Sequence, residues 1–157
     1  MWDLAATTLP AGTVAVGKVL SSSALAIVQV LFASPLLAAI AGIRGESLMI
    51  VWQVAFVAIP AATAVGTAGA LYSALWDSDF ARSFVHWMTL LAITVGTNAL
   101  PPPWNALSPV QALAITLKEG TVLPALLPVT AYLAIAMGCA IAIRQRVETI
   151  RREAHAA

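Results

Sequence analysis

The sequence predicts an all-α integral membrane protein: one domain over residues 1–157, built as a bundle of four transmembrane helices, with a short interfacial helix before the last span and a cytoplasmic C-terminal helical extension. Three observations predict it. Of the 157 residues, 61% are hydrophobic and 10% are charged, where soluble domains carry about 45–50% and about 25%. That leaves too little charge to coat a globule, and the mean hydropathy of +0.90 makes lipid the expected solvent. The few charges sit in short clusters between long uncharged runs, and the cations are shared unevenly between alternate clusters.

The first span is expected at 19–43, 25 uncharged residues bordered by Lys18 and Arg44, with Pro35 expected to kink it near Phe32. The stretch after Lys18 loosely imitates a secretory leader, but the segment before it is long for one and holds Asp3 and no base, so a retained first span is expected. The second span, 48–76, has 29 residues, more than the ~20 that cross ~30 Å of hydrocarbon, so tilt or a kink at Pro60 is expected. Its middle is almost entirely small, and Ala62, Gly66, Gly69 and Ala70 would let another helix backbone approach closely.

The third span, 84–100, has 17 residues, at the lower limit for crossing, and stops against Pro101-Pro102-Pro103. Ser108-Pro109 then reads as an N-cap with proline at the first helical position, opening a helix over 109–119 that Gly120 closes. This helix is too short to span and is expected in the interface, or as one limb of a re-entrant segment. The fourth span, 121–143, runs directly into a basic tail, 144–157. Arg144 and Glu148 are spaced to pair on one helix face, and Arg144, Arg146, Arg151 and Arg152 would either be solvated or dock anionic lipid or a partner protein.

Four spans place both termini on one side. Six cations (Lys18, Arg82, Arg144, Arg146, Arg151, Arg152) then face two (Arg44, Lys118), which puts the termini in the cytoplasm by the positive-inside rule, with a bacterial inner membrane as the expected site. Trp52, Trp76, Trp87 and Trp104 fall near span ends, where aromatic belts sit.

Chemistry-bearing residues are sparse. The four spans hold no Asp, Glu, Lys or Arg, which argues against an autonomous proton-coupled carrier or a voltage sensor. His86 is the one histidine inside a span, a candidate ligand for haem iron or chlorophyll magnesium. His155 lies in the tail, so a bis-histidine haem would need a ligand from another chain. Thr94, Thr97 and Asn98 fall close to one helix face just before the prolines, a candidate polar site. Asp77 or Asp79 is expected to cap the third helix and pair with Arg82. The lone Cys139 excludes an internal disulfide, the net charge of +1 speaks against a nucleic-acid partner, and no hydrolase, nucleotide-binding or metal motif marks an enzyme or names a cofactor.

These features favour a non-catalytic subunit of a larger multi-subunit membrane complex (respiratory, photosynthetic or secretion machinery), with the bilayer and other membrane subunits as partners. A small channel or carrier subunit with a proline-rich re-entrant segment, and a pigment or haem anchor through His86, remain the alternatives.

Overall fold

A computed structural model describes residues 9–156, and among them the protein is all helical. Five α-helices carry the architecture: α1 (Ala11–Arg44), α2 (Met49–Leu75), α3 (Asp79–Leu91), α4 (Pro109–Glu119) and α5 (Leu126–Ala156). A π-helical turn (Ala92–Gly96) and a 3-10 turn (Thr97–Ala99) prolong α3, and further 3-10 turns (Trp104–Leu107 and Leu123–Ala125) precede α4 and α5. Three helices, in α1, α2 and α5, are long and apolar enough to cross a membrane.

The fold is organised around α2, which contacts each of the other α-helices. Three small buried clusters mark levels along it. At one end Ala70 and Leu71 pack against Ala11, Val14 and Ala15 of α1 and Ile143 and Val147 of α5. At mid-length Ala61 and Ala64 meet Tyr132 and Ala136 of α5, with Ile93 alongside. Towards the other end Phe56 and Val57 meet Ala112 and Leu113 of α4, with Ala125 and Val129. These levels fix the directions: α1 runs antiparallel to α2, and α5 runs parallel to it.

The third apolar run departs from expectation. It does not form one helix of spanning length, because α3 ends at Leu91 and the chain changes helical register twice before Leu100. Leu100 is extended (φ −72°, ψ 152°), as a residue before proline should be. Yet α3 and α4 together form a broken limb beside α2. Tyr72 reaches Thr89, Ile93 lies at the Ala61–Ala64 level, Ala112 at Val57, and Leu117 and Lys118 beside Met49 and Gln53.

Local partners set further details of these helices. The first helix begins at Ala11, ahead of the expected span 19–43, and Ala11, Val14 and Ala15 find partners on α5. Both α1 and α2 remain single helices through Pro35 and Pro60. At Pro35 the carbonyl that loses its donor, Leu31, accepts instead from the Ser34 hydroxyl at 2.8 Å. The cap of α3 is Ser78, whose hydroxyl accepts from Ala81 N–H, while Asp79 holds Arg82 at 2.6 Å. Ser108 does sit at the N-cap position of α4, but its hydroxyl makes no capping bond.

The basic tail is not a free extension. Ile143, Val147 and Ile150 are buried, the first two against the opening turns of α1. Arg151 donates to the Leu9 carbonyl at 2.5 Å. Arg144 pairs with Glu148 at 2.9 Å, and that hydrogen bond holds the Glu148 carboxyl below its ordinary value, helped by the charges of Arg144, Arg152 and Arg151. Residues 1–8, including Trp2 and Asp3, and the His155 side chain lie outside the described part.

The α1–α2 seam gives a direct test. A Cβ on Gly66 would lie 2.9 Å from the Cβ and Oγ of Ser22, whereas one on Gly138 would meet nothing within 4 Å. Gly66→Ala is expected to cost about 1–3 kcal/mol by overpacking, lowering the thermal midpoint in detergent. Gly138→Ala should leave the midpoint unchanged or raise it.

Candidate functional site

The spans of α1 carry one amide, Gln29, eleven residues after Lys18 and fifteen before Arg44. It is exposed on the helix surface and makes no hydrogen bond within the described residues. Beside it runs a narrow groove of about 240 Å³ between α1 and α2, floored by Ala26, Ala33, Ala58 and Ala62. The groove exists because alanines on both helices leave space, and because Ser22 and Ser23 bring α1 close to Gly66 and Thr63 just beyond it. A polar group at mid-depth of an apolar helix, beside a strip of small side chains, is the arrangement by which helices associate in lipid.

The rest of α1 is also sparsely covered. Its buried residues are Ala11, Val14, Ala15, Ala26 and Ala41, while Phe32 and Ile43 are 83% and 87% exposed. A surface this apolar cannot face water as it stands.

His86 is half-buried between α3 and α2. Its ring packs on the Gly69 backbone, so that a Cβ there would lie 3.1 Å from Cε1 and 3.2 Å from Nδ1. Tyr72 meets the ring edge-on at 6.5 Å. Nδ1 is buried without a hydrogen-bond partner. A porphyrin metal has no access to that edge, and coordination would have to come through Nε2. Among the described residues no group of three or more His, Cys, Asp or Glu side chains could hold a metal ion.

Thr94, Thr97 and Asn98 share no hydrogen bond among the described residues. The Thr94 hydroxyl donates to Leu90 O at 2.7 Å and the Thr97 hydroxyl to Ile93 O, each one turn back along its own helix. Asn98 is exposed and forms no hydrogen bond with described residues. The structure joins the limb through Ser108, expected only as an N-cap, and Tyr132, which the sequence does not single out. Fully buried Ser108 donates to the Thr94 carbonyl at 3.1 Å, and the Tyr132 hydroxyl of α5 donates to Leu107 O. A π-turn displaces helical carbonyls from their regular donors, and Ser108 supplies one from across the proline loop.

Of the small residues on α2, Gly66 touches α1, Gly69 seats His86, Ala62 lines the groove beside Gln29, and Ala70 packs on the α1–α5 cluster. Gly69 and Tyr72 together form the seat of α3. Tyr72 donates to Thr89 at 2.8 Å, since the Thr89 proton is already given to Val85 O.

Comparison with protein-family models, with curated proteins and with solved structures found no match to this chain in any of the three.

Removing the Ser108 hydroxyl tests the junction of the broken limb. Ser108→Ala leaves the Thr94 carbonyl without this donor and is expected to cost about 1–3 kcal/mol. Trypsin or a comparable protease should then cut faster near Lys118 under native conditions; unchanged stability and unchanged cleavage would show that the junction does not hold the limb.

Proposed function

We propose that the chain is a non-catalytic integral membrane subunit that packs within, and helps to assemble, a larger multi-subunit membrane complex. The observation that carries this is Gln29, an amide at mid-depth of α1 with no hydrogen-bond partner among the described residues, beside an alanine groove. In hydrocarbon an unpaired amide is costly, and a helix from another subunit that offers a hydrogen-bonding side chain at the same depth would satisfy it. The wide apolar surface of α1 supports the same reading.

In this proposal the broken limb α3–α4 makes a fourth crossing, so that both termini lie on one side of the membrane. The concentration of Arg82, Arg144, Arg146, Arg151 and Arg152 at the end of the bundle that holds the start of α1 favours a cytoplasmic position for that end, in a bacterial inner membrane. The tail then serves assembly from within, by clamping the first turns of α1, as well as offering arginines to lipid or partner.

The test is purification in mild detergent through an affinity handle on the tail, read by light scattering and by mass spectrometry of what stays bound. The native chain is expected in a stoichiometric assembly, and Gln29→Leu should weaken retention of the companion about 3–30-fold, the worth of one interhelical amide bond. A stable, monodisperse monomer of the native chain would contradict the proposal.

A further inference from the structure

At the end of the bundle away from the tail, the α1–α2 turn, the start of α2 and the end of α4 enclose an open cleft of about 740 Å³. Gln53 forms part of its wall. Its residue is only 6% exposed, and its amide makes no hydrogen bond within the described residues. The amide of a residue so little exposed ordinarily has a partner, and Gln53 lines the cleft. Two cations border the same space. Arg44 is held only loosely by Glu46, at 3.7 Å, and Lys118 makes no ion pair with any described residue. Glu46 is the single carboxylate on the wall, so the lining carries one net positive charge. The Ser47 hydroxyl is engaged with Met49 N–H at 3.2 Å and adds an oxygen at the rim.

The cleft lies where the uncharged stretch of α1 ends and that of α2 begins, the depth of lipid headgroups in a chain that crosses the membrane. Met49, Ile50 and Leu117 make its remaining walls apolar. A ligand for this cleft therefore has an anionic group for Lys118 and Arg44, polar atoms for the Gln53 amide, and an apolar portion. We propose that the cleft binds the phosphoester group of a phosphorylated glycerol compound, with the diester of an anionic phospholipid as the favoured source and a soluble phosphoester as the other. The phosphate lies against Lys118 and Arg44, and the Gln53 amide bonds a phosphate or glycerol oxygen. Arg144–Arg152 take no part, since they lie at the opposite end.

Binding is measured on the purified full chain in detergent with three probes: short-chain phosphatidylglycerol, short-chain phosphatidylcholine and glycerol 3-phosphate. Phosphatidylglycerol is expected to bind about tenfold more tightly than phosphatidylcholine. Lys118→Gln should remove that preference, and Gln53→Leu should weaken binding of the anionic lipid about 2–10-fold, the equivalent of one hydrogen bond. Arg152→Gln, at the far end, should change neither. Glycerol 3-phosphate binding as tightly as the lipid keeps the phosphoester chemistry and assigns its source to solution. Equal affinity for the two lipids, together with indifference of all binding to Lys118→Gln and Gln53→Leu in correctly folded protein, overturns the proposal. None of these outcomes depends on whether Gln29 docks another subunit.

Discussion

Close backbone approach along α2 is the constraint on which the rest of this structure depends. Lipid tails are as apolar as leucine, so helices in a bilayer gain little from burying oily side chains against one another and must gain instead from tight packing and interhelical hydrogen bonds. The middle of α2 meets that requirement by having almost no side chains of size. Gly66 admits Ser22 of α1 and Gly69 admits the His86 ring of α3, while Ala61 and Ala64 receive Tyr132 of α5. Hydroxyls finish the contacts: Thr63 donates to Ser23 at 3.3 Å and Tyr72 to Thr89 at 2.8 Å. His86 is thereby a packing residue of α3 before it is anything else.

The second feature, the break in the third limb, follows from the same economy of polar groups. Pro101-Pro102-Pro103 cannot continue a helix, and the chain arrives there through a π-turn and a 3-10 turn that disturb the regular carbonyl pattern. In an apolar medium the disturbed groups need donors from elsewhere. Ser108 provides one to Thr94 and Tyr132 provides one to Leu107, and these two bonds tie the proline loop to the bundle. From Ser108 onward α4 resumes beside α2, with Ala112 and Thr116 buried against the bundle.

Much of this was legible in the sequence, for physical reasons that can be named. Long uncharged runs report the membrane because nothing else tolerates them, and three of the four expected spans correspond to helices long and apolar enough to cross. The bounds of α4 were legible because Ser-Pro and Gly120 act locally; Gly120 takes φ 66°, which favours glycine. What escaped was set by distant partners. Lys18 marks where charge-free sequence starts, but the helix begins at Ala11 because Val14 and Ala15 meet Ile143 and Val147, a contact between the two ends of the chain. The cap of α3 went to Ser78 over its acidic neighbours, and Asp79 was left to bind Arg82. Hydroxyls that line a site cannot be distinguished, by sequence, from hydroxyls that bond their own backbone, as those of Thr94 and Thr97 do. Gln29 and Gln53 are polar residues inside apolar runs, and the structure shows no hydrogen-bond partner for either among the described residues.

The central claim is that α3 and α4 together make one crossing, so that the chain passes the membrane four times and its described ends lie on the same side. Single cysteines placed at Gly45, Ser78, Gly120 and Glu153, in a chain whose Cys139 is replaced by alanine, and labelled by a membrane-impermeant thiol reagent in right-side-out and inverted vesicles, test this most directly. Labelling of positions 45 and 120 from one side, and of 78 and 153 from the other, is the expected result. Labelling of 78 and 120 from the same side would show that the limb does not cross, and would contradict the account.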